Sequence, residues 1–553
     1  MRKSASALAL LLLLTANASA QSIGPLPPLT AHVDVQVVNV DVTVTDTDGK
    51  PVMDLGRGDF EVFEDGVKQA ITNFYVVNNA EVLDAALPKG TTTVPGARVE
   101  LPPEFRRKVL LLVDNNYLEI TERNRALDKI EKYVTSAFGA EWAIGTIGQH
   151  PSMLQPFTND GKAIHAAFDR LRKQPTFSDQ HKIDRSILSD RTRKFLDFAT
   201  DYDYAGTVRF NSREQTFRNF VTIQNTTHAV AELARAHAAD IGKKYIILLT
   251  GGMELNTSFT AYEKKGADRD LEIEELRSDS AKLIDAMVRE ANAANFSVNV
   301  INARVRGMQA PQHDVENRSS GIDMTNFLRH GGGNDPIDVT DVDSAPLSLA
   351  LGTGGMYFPA NDILASVQRI DHQTSNFYSL GYAPSHQGDR QYHKIRVAVK
   401  RSGVRVANRS GYFDLSAEDR LQDMLQARAT FERNVGSLPV TIAVGKARDA
   451  EDEMVVPVTA AMALQKVTLL PRDDGYVGRV HVYLSVFDQD GRNIGFHHQL
   501  QEVTVPADRV SSDQPFRYTI KVHLRKGGAF TVTMTLRDEL SNEIGSAADV
   551  VRL

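Results

Sequence analysis

Arg106-Arg107-Lys108-Val109-Leu110-Leu111-Leu112-Val113-Asp114-Asn115-Asn116 is the stretch that decides the fold. Its apolar run has no polar interruption and closes on an aspartate. A strand with one wet face alternates apolar and polar residues. An unbroken run therefore implies a strand covered on both faces, as in a parallel sheet between helix layers. Tyr245-Ile246-Ile247-Leu248-Leu249-Thr250-Gly251-Gly252 repeats the pattern, as do Trp142 to Ile147 and Phe296 to Ile301. Helical periodicity fills the intervals at about 121–137, 163–171, 229–239 and 272–294. This alternation predicts a doubly wound, Rossmann-like α/β sheet over 105–375. Ligands of such sheets sit beyond the carboxyl ends of the strands, where Asp114 and Thr250-Gly251-Gly252 fall.

Two segments exceed what this sheet needs, at about 177–227 and 307–343. Insertions on a rigid scaffold tend to lie at the surface and carry recognition. In the first, Tyr202, Tyr204 and Phe210 are the expected contacts, because aromatic residues dominate interface energetics.

Upstream, residues 31–80 read as a small β module. Val33, Val35 and Val37 alternate with polar residues, and Val38, Val40, Val42 and Val44 resume one residue out of phase, so a bulge or bend is expected between them. Asp46-Thr47-Asp48-Gly49 is turn chemistry; without flanking helices or a distal Glu it does not make an EF-hand loop. Residues 81–104, rich in Pro, Thr and Gly, read as a linker. At the start, Arg2 and Lys3, the apolar run Ala7–Leu14 and Ala18-Ser19-Ala20 form a signal peptide over 1–20, with cleavage after Ala20. The destination is secreted or periplasmic.

Downstream, 376–415 reads as a β extension. A helix follows over 416–433, capped by Ser416 with Asp419, and Leu421, Met424, Leu425 and Phe431 share one face. It is expected either to dock shallowly or to serve as a linker. Residues 437–553 show short strands and turns without helices, predicting an immunoglobulin- or fibronectin-like β-sandwich. His497 and His498 point to opposite faces of one strand and read as ordinary strand residues.

Several function classes are excluded. The chain has no cysteine, so it has no disulfide, thiol nucleophile or Cys-ligated metal. Formal charge is −7, with no basic run, which argues against nucleic acid or an anionic membrane as partner. No stretch is long and apolar enough for a transmembrane helix. There is no Gly-x-Ser-x-Gly elbow, His-Glu-x-x-His or phosphate loop, so the chain is not expected to be an enzyme. The alternatives are a self-associating envelope scaffold and an unrecognised hydrolase.

The order Lys108–Asp114, Lys244–Gly252 and Asn295–Arg304 is similar to a von Willebrand factor A domain, and Leu351–Phe358 resembles its end. Add Asp48-Gly49-Lys50-Pro51, Asp59–Gly66, Phe377–Pro384, His393–Arg401 and Arg409-Ser410-Gly411-Tyr412. Over about 33–413 the chain then resembles the VWFA-related domain proteins known chiefly from Acidobacteria. The resemblance implies a fold, a binding role toward a protein or cell-surface ligand, and a strand-end site for Mg²⁺ or another divalent cation. In that family fold an Asp-x-Ser-x-Ser loop, a Thr and a second Asp supply oxygen ligands. Here the first loop is Asp114-Asn115-Asn116-Tyr117-Leu118: Asn116 offers an amide oxygen and Leu118 nothing. The Thr position is Thr158 or Thr176, and the second acid position is Gly251. The metal site is therefore degenerate, and Asp114 reads as a remnant capping the strand end. The expected binding face comprises Asn115, Thr250, Gly251, Gly252 and Glu254.

Overall fold

The computed structural model describes residues 37–78, 81–83, 103–134, 139–148, 151–177, 201–253, 271–304, 341–359, 362–431, 438–451, 453–472, 475–489, 493–507, 515–541 and 543–553. The leader, most of the 81–104 linker, residues 178–200 and 307–340 of the two insertions, and Glu254 lie outside the described residues.

Five strands open the described chain: β1 (Val38–Thr45), β2 (Phe60–Glu64), β3 (Val67–Gln69), β4 (Asn73–Asn78) and β5 (Glu81–Leu83). An α/β segment follows, beginning β6 (Arg107–Asp114), α1 (Ile120–Val134), β7 (Glu141–Ile147), β8 (Ser152–Thr158), α2 (Gly161–Arg172) and α3 (Asp201–Ala236). It continues through β9 (Lys243–Thr250), α4 (Leu271–Ala293), β10 (Phe296–Asn302), α5 (Asp341–Gly352), β11 (Tyr357–Phe358) and α6 (Ile363–Thr374). Then come β12 (Phe377–Tyr382), β13 (Tyr392–Val399), β14 (Arg405–Ala407), β15 (Gly411–Phe413) and the helix α7 (Ala417–Phe431). The remaining strands are β16 (Thr441–Val444), β17 (Arg448–Ala450), β18 (Glu453–Ala463), β19 (Leu470–Arg472), β20 (Gly475–Phe487), β21 (Asn493–Pro506), β22 (Pro515–Arg525), β23 (Ala529–Asp538) and β24 (Ile544–Arg552).

The α/β sheet has the order β11-β10-β9-β6-β7-β8. Its strands run parallel except β8, an antiparallel edge whose register against β7 slips twice. The unbroken apolar run of β6 divides between two cores. Val109, Leu111 and Val113 pack with α1, α2 and α6; Leu110 and Leu112 pack with α3, α4 and α5. Each fully buried aliphatic side chain contributes about 1.5–3 kcal/mol. The chain steps from β6 to β7 on one side and returns to β9 on the other, so a crevice opens beyond the ends of β6 and β9.

The first insertion is smaller than expected. Residues 201–227 belong to α3, a helix of 36 residues whose C-terminal third alone reads as helical in sequence. The preceding part is rich in Thr, Asn and Phe, weak helix formers without a clean apolar stripe. Packing of Ile223, Ala229, Val230 and Leu233 on the sheet carries the helix.

The N-terminal module and the 376–415 extension, expected as separate units, are one β-sandwich. β1 pairs with β12, which pairs with β4, while β2 pairs with β13. The two sheets, β14-β1-β12-β4-β5 and β15-β13-β2-β3, close on Val40, Val42, Phe60, Val62, Tyr378, Leu380 and Ile395. Neither half alone could bury the apolar face of β1, so the two must share a core. The α/β segment is inserted between them. At the joint Lys243 Nζ reaches Asp41 Oδ1 at 2.6 Å. Within the α/β segment Arg107 holds Asp371 of α6 at 2.6 Å. Lys244 Nζ caps α3 by donating to the His237 and Ala238 carbonyls, and burial lowers its pKa to about 7.

The C-terminal strands form two sheets, one of β16-β18-β17 with β22 beside β18, the other of β19-β20-β23-β24 with β21 beside β20. β21 and β24 lack a clear sequence signal, and β21 is largely exposed along its length. The capping expected at Ser416 is present: its Oγ accepts from the Asp419 amide at 3.0 Å. α7 is docked rather than a bare linker. Leu421, Met424 and Leu425 are buried against Tyr483 of β20. Among the described residues no helix is long and apolar enough to cross a membrane.

Candidate functional site

Asp114 ends β6 fully buried, and its carboxylate accepts two hydrogen bonds. The Asn116 amide donates to Oδ1 at 3.0 Å, and the Thr250 hydroxyl, at the end of β9, to Oδ2 at 3.3 Å. The Thr226 hydroxyl, fully buried on α3, stands close enough to favour the charged form but makes no hydrogen bond of normal geometry. Burial outweighs these donors and raises the Asp114 pKa to about 7.

The neighbouring loop residues are tied down. Asn115 Oδ1 accepts from the buried Arg123 guanidinium at 2.9 Å, so this side chain turns inward toward α1. Asn116 Nδ2 donates to the Gly148 carbonyl at 3.3 Å. Gly252, at φ +104°, donates its amide to Thr250 Oγ1 at 3.2 Å. Gly251 lies so close to the Tyr117 carbonyl that a Cβ there would stand 2.0 Å from the oxygen. The loop backbone fills the space that a side chain at this position would need.

The structure separates the two threonines that the sequence left open. Thr176 lies in the segment whose next amide, that of Phe177, donates to the Asn115 carbonyl at 2.8 Å. Thr158 pairs with Trp142, which itself faces Val109, five residues before Asp114 and about 16 Å along the strand. Its hydroxyl accepts the Asp160 amide at 3.1 Å, at the start of α2. The loops holding Asp114, Thr176 and Thr250 therefore converge, and Thr158 belongs to the opposite end of the sheet. The expected binding face is closed as it stands: Asn115, Asn116, Thr250, Gly251 and Gly252 are all buried. Thr226 escaped the sequence reading because it lay inside the presumed insertion.

A cleft of about 420 Å³ opens at that opposite end, lined by Arg107, Tyr133, Gln368, Asp371, His372 and Ser375 among others. Its polar groups are engaged with one another. Arg107 bonds Asp371, Thr374 and Ser375, and the Tyr133 hydroxyl donates to Asp371 at 2.8 Å. The arrangement clamps α6 onto the sheet.

His498 is not an ordinary strand residue. It points away from His497 as expected, but its Nε2 lies 2.9 Å from His481 Nδ1, and its Nδ1 lies 3.6 Å from Glu418 of α7. Arg537 and the Tyr483 hydroxyl also donate to Glu418. The group fastens α7 to the sandwich.

No protein-family model matches the chain, and no curated relative does. Among solved structures it is similar to an aerotolerance-related membrane protein from Bacteroides fragilis, with 11% identity over 48% of this chain and 98% of that one and a TM-score of 0.24. It is also similar to the pilus adhesin SpaC from Lactobacillus rhamnosus, with 9% identity over 87% and 57% and a TM-score of 0.19. A β-glucuronidase from Bacteroides uniformis shares 9% identity over 32% and 19%, with a TM-score of 0.15. Likenesses this slight carry no functional argument.

Proposed function

We propose that the chain is an exported, non-catalytic binding protein of von Willebrand A type, with a strand-end site that has lost its open coordination position. The observation that carries this reading is the convergence of Asp114, Thr176 and Thr250 at the switch point of a doubly wound sheet, with the Tyr117 backbone occupying the second acid position. The non-catalytic reading is supported by the sequence, which holds no nucleophile elbow, His-Glu-x-x-His or phosphate loop; among the described residues the bonded partners of Asp114 are an amide and a hydroxyl. Export is supported by residues 1–20 alone. The partner is a protein or cell-surface ligand that meets the rim of the strand ends.

Calorimetry of the chain from Gln21 with Mg²⁺ and Mn²⁺, repeated on Asp114→Ala, tests the site. Saturable heat lost in the variant would mean that the loops open to admit a cation, and that the partner supplies a carboxylate. Absence of heat in both proteins would sink cation-dependent binding and leave the fold as a scaffold.

A further inference from the structure

Two imidazoles and four carboxylates meet where loop 383–391, β13 and the residue after β15 cross the end of β2. The His386 and His393 rings stack 3.7 Å apart at 13°. His386 Nδ1 lies 2.8 Å from Asp414 Oδ2, and His393 Nε2 lies 3.1 Å from Asp389 Oδ2. The Asp389 amide donates to the same Asp414 oxygen at 3.2 Å. One ligand atom from each of His386, Asp389, His393 and Asp414 lies within 4.8 Å of all the others.

Behind this inner set stands a second. His393 Nδ1 faces Asp65 Oδ2 at 2.8 Å, and His386 Nε2 lies 3.4 Å from Glu64 Oε2. Glu64 is held in turn, because the Tyr382 and Tyr412 hydroxyls donate to its Oε1 at 2.7 and 2.8 Å. Asp414 is fully buried and Glu64 nearly so. Arg420 stands near Asp414, and Arg409 lies 5.7 Å over the Tyr412 ring.

We propose that His386, Asp389, His393 and Asp414 bind one divalent cation of the Zn²⁺ class, with Asp65 orienting the His393 imidazole from outside. Four mixed imidazole and carboxylate donors are a tetrahedral zinc set, and the carboxylate behind His393 fixes which of its nitrogens faces the ion. As they stand the two rings are stacked, and an ion lies in the plane of each imidazole it binds, so His386, on the partly exposed loop, must swing out of the stack and exchange its present contacts for the ion. Four protein donors leave no position for water, which makes the site structural. The ion would tie the loop and the end of β15 together at the point where the chain leaves for α7.

The Glu418–His481–His498 group is the natural control. There the two imidazoles bond each other, and the Arg537 guanidinium already neutralises the carboxylate.

The test is calorimetric titration of the untagged chain from Gln21 with Zn²⁺ after chelator treatment, alongside Co²⁺ absorption spectra. The expected result is one Zn²⁺ per chain. Affinity should fall more than about 100-fold in His393→Gln and in Asp414→Asn, and hold in His498→Gln. Co²⁺ should give the intense visible bands of a four-coordinate site. If circular dichroism shows either buried variant unfolded, Asp389→Asn, at an exposed position, takes its place with the same expectation. Zn²⁺ binding no tighter than about 10 μM, equal binding in the cluster variants, or loss in His498→Gln would overturn the proposal.

Discussion

Asp114 and Asp414 are both fully buried carboxylates, one at the strand ends of the α/β sheet and the other at a corner of the split sandwich. Asp114 is surrounded by hydroxyls, a backbone amide and a glycine packed against the loop. Asp414 meets an imidazole and lies among other acids, each with its own donors. A charge taken out of water needs a partner of opposite sign or it moves its pKa. Asp114 takes the second course. The strand-end position thus offers a cation fewer donors than the Asp414 corner.

The largest effect is expected from restoring the missing acid. Gly251→Asp forces a side chain into the Tyr117 carbonyl and should cost more than about 4 kcal/mol in urea melts, or leave the chain unfolded. A folded variant that binds Mg²⁺ would mean the loop yields easily, and would erase the contrast between the sites. Next comes Glu64→Ala, which leaves the buried hydroxyls of Tyr382 and Tyr412 without their acceptor. A loss of about 3 kcal/mol is expected, with Glu64→Gln costing less. Equal losses in the two variants would show that the charge, not the acceptor, matters.

Asp114→Asn should stabilise the protein by about 2 kcal/mol at pH 8. The group ionises near pH 4 when unfolded and near 7 when folded, so between those values the folded state holds a proton that the unfolded state has released. The stability this gives is present below about pH 4 and lost as pH rises through about 7, and the variant should flatten that decline. A wild-type protein whose stability rises over the same interval would contradict the carboxylate's isolation. The smallest effect belongs to Thr158→Ala, which removes one exposed turn bond and should cost about 0.5 kcal/mol. It should leave any Mg²⁺ heat untouched, whereas a change there would return Thr158 to the site.

Much of the α/β layer was legible. Runs such as Val109–Val113 and Ile246–Leu249 state double-sided burial in their composition, and their order gives the alternation of strand and helix. The position of Asp114 beside Thr250 followed from that order alone. The apolar face of α7 at Leu421, Met424 and Leu425 and its Ser416 cap were equally local. α3 was half hidden because its N-terminal part lacks a stripe, and β8 and β21 because edge strands bury too little to show alternation. Thr226 and His498 had no local signal, since each acquires its role from residues far along the chain.

What the sequence by itself determined is whatever depends on neighbours within a few residues: periodicity, caps, turns and the covered strands. What only the tertiary structure decided is which distant segments share a core and which charges meet. β1 finds β12 across more than three hundred residues, Thr176 rather than Thr158 joins the strand ends, and Asp65 and Glu64 come to stand behind His393 and His386. The physical reason is that burial and electrostatics act through space. The pattern of a segment records that it must be covered or neutralised, while the identity of its partner is set only when the chain has closed on itself.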